Sequence, residues 1–548
     1  MNRRVHEILY NVIFSYLKFY NKHTFQKLNK YTNGMHIKDL LNIDGKYLCK
    51  LDNNILKYYK YAIKLNANNN SKITNINHMT KLKELKASVS CGVNDEGMIN
   101  LTNLEILDVS DNNKITNVNY MTKLKELKAF GSCGINDEGI INLNNLEILD
   151  ASNNPKITNV NHMSKLKELD ADEMCGINDE GIINLNNLEI LNANNNPKIT
   201  NANHMTKLKE LYADEMCGIN DGGIIDLNNL EILNVSDNSK ITNINHMTKL
   251  KKLRAFRSCG INDEGIIDLN NLEILNGSDN SKIININHMT KLKELHAFGS
   301  CGINDGGIIN LNNLEILNGS DNYKITNINH MTKLKELHAF GSCGINNEGI
   351  INLNHLEILN AYDNPEITNI NNMTKLKELH AQGTSGINDE GIVNLNNLEI
   401  LDANDNPEIT NINNMTKLKE LHAQGSSGIN DEGIVNLNNL EILYATINPN
   451  ITNVNHMIKM KELHAFGSCG INDEGIICLN DLEILDISYN SKITNINHMT
   501  KLKVLFAYGS CGINDEGIIN LKNLEILNAD DNNQIVTKSK AIKKNFNY

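Results

Sequence analysis

The segment LHAFGSCGINDEG, residues 463–475, places His464, Cys469, Asp473 and Glu474 within eleven positions. Imidazole, thiolate and carboxylate are the ligands of zinc. A histidine near a cysteine is also the pair that activates a thiol nucleophile, and two neighbouring carboxyls can divide acid and base work. Whether these groups meet depends on the elements that carry them.

Those elements repeat. MTKLKEL or a close variant begins at Met79 and returns every 42 residues without insertion, making eleven copies, the last at Met499. Each copy has a 22-residue half, such as MTKLKELHAFGSCGINNEGIIN at 331–352, and a 20-residue half, such as LNNLEILNGSDNYKITNINH at 311–330. In LEILDVSDN (104–112), Leu107 and Val109 alternate with Asp108 and Ser110, the period of a strand. One strand in so short a unit leaves no room for a returning partner. The strands must therefore be parallel, stacked coil on coil, with each coil touching only its neighbours. GINDEGIINL predicts a short capped helix with acidic residues in its first turn, and ITNINHM a turn or one 3-10 turn.

Two columns fix this register. Asn112 and its equivalents to Asn532 recur at one position, with Asn70 in a worn first copy. A buried amide there is expected to bond the backbones of both adjacent coils. Pro155, Pro197, Pro365, Pro407 and Pro449 all fall one residue later, at a bend that needs no N–H donor.

The same periodicity weighs against chemistry at the opening segment. Cys91, Cys133, Cys175, Cys217, Cys259, Cys301, Cys343, Cys469 and Cys511 share one repeat position, which serine fills at 385 and 427. Two coils apart, about 10 Å at strand spacing, these thiols are too distant for a disulfide or a shared metal. They are expected to be structural thiols of a reducing compartment. The acidic pair appears as Asp221–Gly222, Asp305–Gly306 and Asn347–Glu348 in other copies, a loss that helix caps tolerate and catalytic dyads do not. No cofactor or metal is expected, and no enzymatic activity.

The net charge of −13 speaks against a general binder of phosphate backbones; only the tail with Lys538, Lys540, Lys543 and Lys544 is locally basic. No apolar run approaches the ~20 residues that span a bilayer. Neither nucleic acid nor membrane is an expected partner. The expectation is a cytoplasmic monomer.

LEILDVSDN resembles the leucine-rich repeat, and MKELHAFGSCGINDEGI (460–476) is similar to its cysteine-containing variety. The resemblance spans 79–540, and a worn half-copy extends it back to residue 59. It implies an α/β leucine-rich-repeat solenoid: a curved parallel sheet with short helices and 3-10 turns outside. The expected organisation is a helical segment at 1–45, a degenerate repeat or cap at 46–78, eleven double repeats at 79–540 and a tail at 541–548.

In the first stretch, Val5, Ile8/Leu9, Val12/Ile13 and Tyr16/Leu17 recur at helical spacing, with Phe25 and Leu28 beyond a break. VHEILYNVIFSYLKFYNKHTFQKLNK resembles an F-box, with IFSYL at 13–17 its strongest part; Val5–His6 departs from the family's Leu-Pro. The resemblance implies a Skp1-type adaptor as partner, met by Leu9, Ile13, Phe14, Leu17 and Leu28. The other reading of this segment is a plain cap on the solenoid's open end.

Function in such an array is expected on the concave strand face, where outward side chains vary while core positions repeat. The candidates are Asp170, Asp172, Tyr212, Asp214, Arg254, Phe256, His296, Phe298, His338, Phe340, His380, His422, His464 and Phe466. They fall in zones: an acidic patch, arginines beside it, then a histidine and aromatic stripe suited to holding a protein target. Joined to the F-box resemblance, this reads as a substrate adaptor of a Skp1–cullin ubiquitin ligase. The alternative is a repeat scaffold or decoy with no ligase partner.

Overall fold

The computed structural model describes residues 39–41 and 48–536. The expected adaptor-binding residues Leu9, Ile13, Phe14, Leu17 and Leu28, and the tail 541–548, lie outside them. The chain divides into two compact units, Met1–Leu269 and Asn270–Tyr548.

In the first unit the described strands run from Asp39–Leu40 and Lys64–Asn66 to Lys252–Arg254, each parallel to the next in chain order. The strand at Asp39–Leu40 lies within the stretch expected to be helical and pairs with Lys64–Leu65. In the second unit the strands run from Ile274–Asn276 to Ile526–Asn528 in the same consecutive parallel order. Each unit is thus a parallel β-solenoid in which one coil contributes one strand, three residues long except at Asp39–Leu40.

The core is made of columns. Leu295, Leu317, Leu337 and Leu359 stand opposite one another in register and are fully buried. Ile and Met from the turns, such as Ile325, Ile328 and Met331, close the other side of the coil. Helical segments are single turns. Asn304 caps Asp305–Ile308 by accepting from the Gly307 N–H, and Asn346 does the same for Asn347–Ile350.

The asparagine column is buried, with bonding that differs from the expected pattern. Asn322 donates its amide to the carbonyls of Ala297 (2.9 Å) and Ile303 (3.2 Å), both on the preceding coil. Its side-chain oxygen accepts the N–H of Lys324 on its own coil at 3.0 Å. Asn154, Asn406 and Asn490 repeat this set. The side-chain amide thus reaches one neighbouring coil, not two, whether the following slot holds cysteine or, after Asn406, Ser427.

The aspartate of the DEG motif also has another task than capping. Asp305 accepts from the N–H (2.7 Å) and hydroxyl (2.5 Å) of Thr326 and from the N–H of Asn327 (3.1 Å), one coil on. Asn347 reproduces these contacts with an amide, accepting from Thr368 N–H at 2.8 Å and donating to its hydroxyl at 2.7 Å. That explains why this copy tolerates the loss of charge.

Replacing Asn322 with alanine strands two buried carbonyls and one N–H. At about 1 kcal/mol or more for each orphaned group, the coils around it should lose about 3 kcal/mol of local stability. Hydrogen exchange at the Ala297–Lys324 amides should report the loss, while Asn312→Ala, on the exposed turn, leaves it unchanged.

Candidate functional site

The four groups of the opening segment go to four different places. The Cys469 thiol is buried, and burial pushes its pKa up to about 11. Asp473 ties Thr494 and Asn495 of the next coil at 2.6–3.1 Å. The Glu474 side chain is exposed. His464 turns to Glu462, Nε2 to Oε1 2.7 Å. Cys91, Cys133, Cys175, Cys217, Cys301, Cys343 and Cys511 are likewise buried and shifted upward by burial, which leaves them protonated and poor nucleophiles at neutral pH. Among the described residues, no three His, Cys, Asp or Glu side chains gather as a metal-holding group.

The strand face gives each expected histidine a defined partner. In the second unit, Glu294 and His296 flank the buried Leu295 and point to the opposite side. Each imidazole meets the glutamate two residues before it, at 2.7 Å for His296 and His338 and 2.8 Å for His380 and His422. The register sets a residue of the intervening coil between successive histidines, as Asn318 between His296 and His338.

Where that residue is acidic, the histidine gains a second carboxylate. His380 Nδ1 lies 3.9 Å from Asp402, and His464 Nδ1 lies 3.9 Å from Asp486. Asp402 raises the His380 pKa, with burial opposing and Glu378 adding to the rise. For His464 burial pulls downward, but Asp486 and Glu462 together outweigh it, and the net shift is also upward.

Between His422 and His464 the intervening residue is Tyr444. Its ring stacks on both, with centroids 4.3 Å and 4.4 Å apart and interplanar angles of 20° and 9°. Phe466 makes an edge contact with Tyr489 at 5.5 Å. Phe298 and Phe340 continue the outward column two residues past their histidines.

The first unit carries the acidic zone. Asp170 stands opposite Asp150 and Asn192 in the sheet. One oxygen of Asp170 and one of Asp172 are buried without a donor. Burial, then the charge of Asp172, pushes the Asp170 pKa up to about 6. Burial and Glu215 do the same for Asp214, whose carboxylate accepts from Asn234 at 3.0 Å. Tyr212 donates to Glu210 at 3.1 Å. Arg254 is exposed, and Arg257 pairs with Asp237 (3.5 Å) and lies over Phe256, 5.4 Å from the ring centroid.

Several residues of this surface escape a reading of the first-half strands alone. Tyr444, Asp402 and Asp486 belong to second-half strands, whose alternation carries the same signal. The glutamates that hold the histidines looked like invariant background. On the helical side, one isoleucine or valine per repeat is largely exposed, from Ile309 (60%) to Ile519 (74%) in the second unit.

No family model matches the chain, and no curated protein matches it. Among solved structures it is similar to TLR13, crystallised as a complex with ssRNA13: 18% identity over 90% of this chain and 87% of that one, with a TM-score of 0.51. The fold is a leucine-rich-repeat solenoid. An internalin, inlF of Listeria monocytogenes, matches at 25% identity over 60% of this chain and 82% of that one, with a TM-score of 0.32.

The raised carboxyl pKa values have a stability consequence of definite sign. With Asp170 and Asp214 at about 6 in the fold, the native chain binds more protons than the unfolded one between pH ~4 and ~6. Their contribution is full below ~4 and is lost as the pH rises through about 6. Asp170→Asn should flatten that slope and, after allowance for solvent screening, stabilise the first unit by about 1 kcal/mol at pH 7. Urea midpoints of both proteins from pH 4 to 8 check this.

Proposed function

We propose that the chain is a protein-binding scaffold, and that residues 1–45 join it to a Skp1-type adaptor so that a target on the strand face is presented to a cullin ubiquitin ligase. One observation carries the scaffold reading. The columns that hold coil to coil are nearly constant, whereas the outward strand columns change in blocks and collect imidazoles, carboxylates and aromatic rings. Aromatic side chains with satisfied polar neighbours are the anchors of protein interfaces. The adaptor arm rests on the F-box resemblance of residues 5–30.

The mechanism is proximity. Two binding surfaces on one chain raise the target's effective concentration at the ligase, and no covalent step falls to this protein. Protonated, buried thiols and carboxylates committed to coil-to-coil bonds support a non-enzymatic role. TLR13 is crystallised with RNA. In the second unit here, the outward strand positions flanking the core leucines, among the described residues, carry carboxylates and no lysine or arginine, which favours a protein target over a phosphate backbone. A reducing, cytoplasmic setting and a monomeric state complete the proposal.

Full-length chain mixed with a Skp1-type adaptor should co-elute with it on size exclusion. Phe14→Ala and Leu17→Ala should each weaken the complex about tenfold or more. Absence of binding by the unaltered chain removes the ligase arm and leaves a scaffold with a capped end. Separately, Phe298→Ser combined with Phe340→Ser should reduce cross-linked target recovery about tenfold.

A further inference from the structure

The lysine two residues after the column asparagine performs one task through most of the array. Lys324 places its ammonium on the carbonyl of Cys301 at 3.0 Å, and Lys114, Lys156, Lys198, Lys240 and Lys492 do the same to their own cysteine carbonyls at 3.0–3.1 Å. One repeat after Lys324 the residue is Glu366. Its backbone is unchanged: the Glu366 N–H is held by Asn364 at 2.9 Å, as the Lys324 N–H is held by Asn322 at 3.0 Å. Only the side chain has been exchanged, an ammonium for a carboxylate.

The exchange leaves a space with a defined chemistry. A solvent-open notch of about 550 Å³ lies here, lined by Asp321, Asp363, Glu366, Thr384 and the Ser342–Cys343 segment. Among the described residues, no side chain takes up the lysine's place on the Cys343 carbonyl. The Cys343 residue itself is 5% exposed, where the other cysteines of the column are 0%. Asp363 accepts the N–H and hydroxyl of Thr384 at 2.8 and 3.0 Å, and Asp321 accepts the Ser342 N–H at 2.9 Å. These bonds fix both carboxylates and keep the Asp363 pKa low, chiefly through the Thr384 N–H. Tyr362, 44% exposed, adjoins Asp363.

We infer that this notch is a lysine-binding site: the ε-ammonium of a lysine on a partner protein takes the position that the chain's own lysine holds elsewhere, between the Cys343 carbonyl and the carboxylates of Asp363 and Glu366. A compact ammonium with three donors can serve both a carbonyl and the carboxylates that line the same notch. The preceding repeat, with Lys324 on Cys301, shows the same backbone accepting that group, whereas the two repeats that follow carry Glu408 and Asn450 there. This rests on the scaffold reading only in taking the occupant to be a protein side chain.

The test uses the full chain and a fluorescein-labelled Ala/Lys peptide, with the same peptide carrying acetyl-lysine as its partner probe, by anisotropy at low ionic strength. The unaltered chain should bind the lysine peptide and not the acetylated one. Glu366→Lys restores the residue that other repeats already accommodate. It should raise the urea midpoint as its ammonium seats on the Cys343 carbonyl, and weaken peptide binding about tenfold or more, as expected for lost charge-assisted hydrogen bonds. Glu474→Lys makes the same charge change at an exposed helical-side position and should have little effect. Equal binding by the unaltered chain and Glu366→Lys, or equal weakening by Glu474→Lys, overturns the site. So does failure of the lysine peptide to bind the unaltered chain. None of these outcomes touches the Phe298/Phe340 cross-linking result, which decides the scaffold reading on its own.

Discussion

The structure depends on satisfying backbone groups at the place where each strand ends. A parallel coil must turn away from its sheet every few residues, and the carbonyls exposed by that turn are buried against the next coil. The column asparagine answers this with one amide: two donors go back to the preceding coil and one acceptor serves its own. A buried carbonyl without a donor costs about 1–3 kcal/mol, and the same deficit recurs in every repeat. The spacing of the whole array follows, because an insertion anywhere would separate an amide from its two carbonyls.

The alternate coils solve the same problem with different chemistry. In most of them the slot holds a cysteine whose backbone carbonyl is reached from the next coil by a lysine ammonium, as Cys301 is by Lys324. The thiol is small, buried and protonated. Serine at 385 and 427 fits a slot that selects for size, and the residue one coil on is there Glu408 or Asn450 instead of lysine. The aspartate of the DEG motif adds a third tie between coils, and the turn histidine a fourth, as His330 meets the Ile308 carbonyl at 2.9 Å. The aspartates of the DEG motif and the turn histidines, which look reactive in the sequence, are consumed by coil-to-coil bonding.

The strands, their parallel order and the core columns were legible because period-two alternation inside a fixed repeat admits few other arrangements. The outward direction of His296, Asp170 and the others followed from the same alternation. What each outward side chain touches was not legible. The pairing of His296 with Glu294 needs rotamers, and the His422–Tyr444–His464 stack needs the register between 22- and 20-residue halves. Asp95 was readable as a helix-start residue because Asn94, the true cap, stands directly before it. Its reach to Thr116, one coil on, is a tertiary fact without local signature.

In an array this regular, a departure at a structural position is more informative than variation on the surface. Exposed columns drift at little energetic cost, so a change from Lys128 to Asp170 could be neutral. Exchanging the lysine that covers a cysteine carbonyl is different, because it removes a charge-assisted hydrogen bond that the fold otherwise makes. At Glu366 the replacement also places a carboxylate among Asp321 and Asp363, adding like charge where the chain had an opposite one. Both changes cost the isolated protein stability, and both are offset when a cation arrives from outside. A repeat that has exchanged an internal partner for an open notch is therefore the place where an external partner has most to contribute.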